Sequence, residues 1–110
     1  MNLKYYWREL KSFIKEVKFK AKHKTSRSEV WNVFHGTAVY IDKTLGTWIK
    51  LGVNSRPGEV TTEEWDEILK KIHNAFHLIA LDDLEIRVKQ EKEIDEGLDL
   101  FRKWYFHLWD

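Results

Sequence analysis

The stretch VTTEEWDEILKKIHNAFHLIA, from Val60 to Ala80, decides the fold of this chain. Thr61 and Glu64 have the spacing of a capping box, in which each side chain accepts a hydrogen bond from the backbone amide of the other. Apolar residues then recur in steps of three and four, the period of one helix face. They are Trp65, Ile68, Leu69, Ile72, Ala75, Phe76, Ile79 and Ala80. The pattern predicts an amphipathic helix at the centre of the molecule.

The N-terminal segment, from Leu3 to about Lys22, predicts a second amphipathic helix. Its apolar positions are Leu3, Tyr6, Trp7, Leu10, Phe13, Ile14, Val17 and Ala21. Beside them, within about 80° of a helical wheel, six cations form what we call the basic stripe: Lys4, Arg8, Lys11, Lys15, Lys18 and Lys22. Two interpretations stay open, a solvated lysine face and a surface that binds phosphate or acidic groups.

Two further regions of the chain are also helical in pattern. Residues 30–50 keep helical spacing, although Gly36 and Gly46 lower the helix propensity and allow a kink or a close helix approach. Residues 84–110 change their apolar face near the polar run 89–93, so either one helix drifts there or two helices meet. We predict an all-α chain, a single domain over residues 1–110 that forms a helical bundle of four to five helices.

Composition limits the functional classes. The 110 residues suffice for one domain, and the absence of cysteine excludes disulfides, thiol nucleophiles and cysteine zinc sites. No apolar run approaches the roughly 18 residues that a membrane span needs, and the N-terminus has no signal-peptide apolar region. We therefore expect a cytoplasmic protein without a membrane partner.

Charge is unevenly distributed along the chain. Residues 1–27 hold nine Lys or Arg against two Glu, a balance of +7. Since the whole chain carries +1, residues 28–110 carry −6. Such asymmetry marks a basic arm for an acidic partner, holds the two halves of one chain together, or joins copies head to tail. Together with apolar positions outside the main stripes, it leads us to expect a homo-oligomer.

The sequence offers little catalytic chemistry. His73 and His77 are one helical turn apart, as in zinc helices, but the HExxH pattern is absent and no third ligand is evident. The carboxylate pairs stand mostly at helix starts, where capping explains them. We predict no enzyme activity, no catalytic residues, no metal and no cofactor. A stacking or interface role is possible for Tyr5, Phe19, Trp31, Tyr40, His73 and His77.

Two segments carry a resemblance. EVTTEEWDEILKK at 59–71, continuing to Ala75-Phe76, and EGLDLFRKWYFHLWD at 96–110 resemble, in this order, a pattern in small uncharacterised bacteriophage proteins. The two segments cover roughly a third of the chain. No functional residue is carried over, since we associate no activity with that family. The resemblance implies a context in which small proteins without enzyme motifs act on host machinery.

These observations lead to one expected function with two alternatives. We expect a non-catalytic, phage-type counter-defence protein, which evades host immunity by sequestering a nucleotide signal or by occluding a host defence protein in the host cytoplasm. The first alternative is a nucleic-acid-binding protein that uses the basic stripe, with affinity that falls steeply as salt rises. The second is a structural or assembly protein of the virion, whose acidic and basic halves join neighbouring copies.

Overall fold

All regular elements of the protein are helical within residues 3–26, 30 and 32–109, which the computed structural model describes. They are α1 (Leu3–His23), α2 (Val33–Leu51), α3 (Thr62–Ala80), α4 (Leu84–Lys89), α5 (Glu91–Trp104) and a 3₁₀ turn (Tyr105–His107). This arrangement confirms the predicted all-α helical class. Trp31, one of the predicted stacking residues, lies outside the described residues.

The chain divides into two compact units, residues 1–33 and residues 34–110. In the first unit the described regular element is α1, and it buries none of its residues. The second unit contains the hydrophobic core and the helical bundle built from α2 to α5. A single domain over the whole chain stays a prediction, and the two units are described separately.

The start of α3 is built as its sequence predicts. The Glu64 amide donates to the Thr61 hydroxyl at 3.1 Å, and the Thr61 amide donates to a Glu64 carboxylate oxygen at 3.0 Å. The backbone and hydroxyl bonds from Thr61 lower the pKa of Glu64, because they favour its charged form. The capping box therefore sets where α3 begins, and it places Trp65 at the start of the buried face.

The core of unit 34–110 lies along the predicted apolar face of α3. Trp65, Leu69 and Ile72 are at most 2% exposed, and Trp65 packs edge-on against Trp104 of α5 with ring centroids 5.8 Å apart. The core cluster of buried side chains is Ala38, Leu45, Trp65, Leu69, Ile72, Phe76 and Trp104. It combines residues of α2, α3 and α5, so α3 is the central helix of this unit.

Helices α3 and α5 approach each other closely at Gly97. A Cβ on Gly97 would overlap the Cβ of Ala75 and would lie 2.6 Å from the backbone oxygen of Lys71. On the same pair of helices, the Lys71 ammonium binds the Glu96 carboxylate at 2.8 Å, which raises the pKa of Lys71 and lowers that of Glu96. The crossing therefore depends on a residue without a side chain.

The two open questions about helix continuity are resolved within the described residues. Helix α2 runs without a break through Gly36 and Gly46. Residues 84–104 form two helices, which meet at Gln90. Asp83 caps the first of them, because its carboxylate accepts from the amides of Glu85 at 2.9 Å and Ile86 at 3.2 Å.

Replacing Gly97 with alanine is expected to lower the free energy of unfolding by about 1–3 kcal/mol, the usual cost of overpacking. The matched control is Gly36→Ala in α2, where an added Cβ meets no heavy atom within 4 Å. That change is expected to be neutral or to stabilise by up to about 1 kcal/mol, because alanine is the better helix former. Urea denaturation followed by tryptophan fluorescence measures both. Equal effects of the two substitutions would contradict the close crossing.

Removing the charge of Glu64 is expected to have a pH-dependent effect. Because the folded chain lowers the pKa of Glu64, its stabilising contribution is present above the unfolded pKa and is lost as the pH falls through the lowered folded value. The variant Glu64→Gln should therefore be less stable than the parent at neutral pH, and the difference should shrink in acid. Chemical denaturation across a pH series measures it, and a difference that does not change with pH would argue against the capping box.

Candidate functional site

Helix α1 forms because its sequence suits a helix and nothing interrupts it. It has no glycine or proline over 21 residues, and Lys20, Lys22 and His23 place positive charge in its last turn, where the helix dipole is negative. The helix ends before Lys24, whose φ of 64° is left-handed and whose amide donates to the Lys20 carbonyl at 2.9 Å. The predicted boundary near Lys22 is therefore observed within one residue.

The basic stripe lies on one continuous helix, and all six of its residues are exposed. From Lys4 to Lys22 it extends for about 27 Å, at 1.5 Å per residue. Consecutive members are three or four residues apart, so each cation is a helical neighbour of the next, and neighbouring like charges disfavour the helix. An anionic surface along the stripe would remove this repulsion.

The apolar face of α1 is also exposed. Its large side chains range from 42% exposure at Ile14 to 77% at Leu3. The members of this face are Leu3, Tyr6, Trp7, Leu10, Phe13, Ile14, Val17 and Ala21. An amphipathic helix of a globular protein normally buries such a stripe, and most of its helical stability comes from that burial. A contiguous exposed apolar face of this kind is typical of interaction sites.

The basic stripe and the apolar face are adjacent along one edge. There the Lys11 ammonium lies 5.6 Å from the centroid of the Trp7 ring, which is a cation–π distance. Trp7 is thus apolar on one side and in contact with a cation on the other. The combined surface accepts a partner that is both apolar and anionic.

Two of the predicted stacking residues, Tyr5 and Phe19, contact aromatic neighbours on α1. Tyr5 meets Tyr6 edge-on at 5.8 Å, and Phe19 lies beside His23 with ring centroids 4.5 Å apart, so both contact their own helix. Tyr40 belongs to α2 and is 68% exposed.

The two predicted histidines have a structural contact that the sequence did not reveal. The ring of His73 lies 2.8 Å from one Asp42 carboxylate oxygen and 3.1 Å from the Asp42 backbone oxygen. The ring of His77 lies 3.2 Å from the other carboxylate oxygen. These contacts join α3 to α2, so both imidazoles serve helix packing.

Gly46 makes the histidine contacts possible. A Cβ at this position would lie 2.8 Å from Nε2 of His73, closer than real Cβ atoms come. The sequence signal for this contact is a matched spacing: Asp42 and Gly46 are four residues apart on α2, as His73 and His77 are on α3. Pairs with this spacing are common, so the two equal spacings indicate a contact only when α2 and α3 are already known to lie side by side.

A cleft of about 370 Å³ lies where the end of α2 meets the start of α3. Ile49, Gly52, Val53, Thr62, Asp66, Leu69 and Lys70 line it. Its lining provides a single cation, Lys70, beside a carboxylate, Asp66. A nucleotide with several phosphates needs more positive charge than this, so the cleft is a poor candidate for such a ligand.

The described ranges lack two features that define particular functional classes. No three His, Asp or Glu side chains there are placed to hold a metal ion. No described helix has both the length and the apolar content that crossing a bilayer requires.

Comparison of the chain with protein-family models, with curated protein sequences and with solved structures finds no match. The phage resemblance therefore stays a prediction, and the function has to be argued from the residues.

The contact between Gly46 and His73 can be tested by a double-mutant cycle. In the parent, Gly46→Ala is expected to displace the His73 ring and to lose its bonds to Asp42, which offsets the helix propensity gained by alanine. In a His73→Ala background the same change should be more favourable by about 1 kcal/mol or more. Urea denaturation of the four proteins measures the coupling. Additive effects would contradict the contact.

Proposed function

We propose that this protein is a non-catalytic binding protein, which uses α1 to cover an acidic and partly apolar surface of a larger partner. One observation carries the proposal: a continuous 21-residue helix buries none of its side chains while it presents an apolar face beside six exposed cations. A partner that is apolar and anionic would satisfy both halves of this surface at once.

The shape of α1 favours a large partner over a small one. Pockets for small ligands are concave and enclose most of the ligand's surface. A single helix is convex, and its apolar face and basic stripe extend over about 27 Å. Covering a macromolecular surface is therefore better supported than sequestering a nucleotide signal.

The biological setting of this proposal comes from the resemblance to bacteriophage proteins. In that setting the covered surface would belong to host machinery, and the protein would act in counter-defence by occlusion. The role needs no catalytic group in this chain, since binding alone blocks the covered surface.

Nucleic-acid binding is a second candidate, and the continuity of the basic stripe favours it. Six exposed cations in register along one helix can meet successive phosphates of a strand. The apolar face beside them has no role in phosphate contact, so this candidate explains only half of the surface. It predicts a strong salt dependence.

Photo-crosslinking in a bacterial cell tests the proposal directly. A photoreactive phenylalanine analogue is placed at Phe13 on the apolar face of α1, at its neighbour Ser12, which lies outside both the apolar face and the basic stripe, or at the exposed Asn74 of α3. We expect a discrete adduct from Phe13 and none from Ser12 or Asn74. The double change Lys11→Glu/Lys15→Glu should weaken the adduct, because it reverses two charges of the basic stripe.

The nature of the adduct decides between the candidates. A protease-sensitive adduct partner identifies a protein surface, and a nuclease-sensitive one favours the second candidate. An adduct whose mass exceeds that of the protein by one phospholipid identifies lipid. Adducts that form equally from all three positions, or from none, would contradict a binding role of α1.

A further inference from the structure

We propose that the surface which α1 binds is the anionic face of a lipid bilayer, with the helix lying in the plane of the interface. The inference rests on one part of the proposed function, that α1 covers an acidic and partly apolar surface. It assigns that surface to lipid instead of a host protein, and so departs from the expectation of no membrane partner. A helix of this kind combines a polar face rich in Lys and Arg with an apolar face rich in Trp, Phe and Leu. That no helix among the described residues could span a bilayer does not bear on it, because an interfacial helix does not cross the bilayer.

The distribution of charge around α1 supports a planar anionic partner. On a wheel of 3.6 residues per turn, the apolar face covers about 120° and the basic stripe the adjoining 80° or so. Ile14 and Trp7 lie near the middle of this combined arc. The two acidic residues of the helix, Glu9 and Glu16, lie about 140–180° away from them. With Ile14 and Trp7 towards the surface, both carboxylates therefore point away from the anionic lipids.

The depth of each residue follows from the same orientation. Leu10 and Ile14, which are 47% and 42% exposed, would enter the acyl boundary. Trp7 lies at the edge between the apolar face and the basic stripe, with the Lys11 ammonium 5.6 Å from its ring. Tryptophan prefers the level of the headgroups, and lysine reaches that level by extending its apolar stem. The two contacting side chains are thus suited to the same layer.

The length of the apolar face favours lipid over a protein groove. A groove takes an amphipathic helix through a few anchor positions one turn apart. The apolar face of α1 has eight positions without interruption from Leu3 to Ala21, and the basic stripe accompanies it for the same length. A bilayer surface is flat, extended and anionic along all of it. A second copy of α1 would instead add a helix of the same net positive charge, and the two helices would repel each other.

Vesicle co-sedimentation of the full chain tests the inference, with phosphatidylcholine vesicles that contain or lack phosphatidylserine. We expect binding to the anionic vesicles only, weakened when salt is raised from about 0.1 M to about 0.5 M. The change Lys11→Gln/Lys15→Gln should reduce partitioning by about 25-fold, or about fivefold per cation. The change Ile14→Asn should reduce it about tenfold or more, because the apolar face loses its central side chain.

Matched controls separate the surface from general effects on the protein. Lys43→Gln/Lys50→Gln removes two exposed cations of α2, and Ser12→Asn introduces asparagine on α1 outside both the apolar face and the basic stripe. Both should bind as the parent does. Thermal unfolding of every variant checks that unit 34–110 stays folded.

Other outcomes would overturn the inference. They are absence of binding to anionic vesicles, equal binding to both vesicle types, or parent-like binding by Ile14→Asn. Light scattering without lipid measures whether the protein forms a dimer. A dimer that dissociates in the Ile14→Asn variant would show that the apolar face of α1 serves self-association. If the protein does not bind anionic vesicles while the Phe13 crosslink yields a single acidic protein, the lipid inference is wrong and the proposed function stands. If the crosslink fails as well, both are wrong.

Discussion

The close approach of α3 and α5 at Gly97 is the constraint on which the rest of unit 34–110 depends. Only a residue without a Cβ fits between Ala75 and the backbone of Lys71. The approach brings Trp104 edge-on against Trp65, whose position the capping box of α3 has already set. Burial of these rings with Leu69 and Ile72 then supplies the apolar contact that offsets the entropy of ordering the chain.

Local features of this fold were predictable from the sequence, and pairwise contacts between helices were not. Thr61 and Glu64 of the capping box are three positions apart, and the apolar stripe repeats about once per helical turn. Both patterns can therefore be recognised in the sequence. Asp42 and His73 are 31 positions apart, and their contact depends on how α2 lies against α3. The sequence also could not decide whether one helix or two helices pass through Gln90, because a polar run is compatible with either arrangement.

The composition of the candidate site was predictable from the sequence, because it is local to one helix, but its exposure was not. The basic stripe and the apolar face are properties of one helix, so the wheel alone defines them. Their exposure is a tertiary property. The apolar stripe of α3 has a similar spacing but lies in the core, with Ile72 at 0%, whereas Ile14 on α1 is 42% exposed. Two similar patterns thus differ in burial, which separates the core helix α3 from α1, for which we propose a binding role. The histidines of α3 belong to helix packing through Asp42.

The central claim is that the apolar face of α1 serves a partner rather than the core. The most direct measurement compares the free energies of unfolding of Leu10→Ala and Leu69→Ala, two leucines on the apolar faces of α1 and α3. Leu69 is 1% exposed, so its truncation should cost about 2–5 kcal/mol. Leu10 is 47% exposed, so its truncation should change stability by no more than about 0.5 kcal/mol. A loss at Leu10 as large as that at Leu69 would show that α1 belongs to the folded core and would contradict the account.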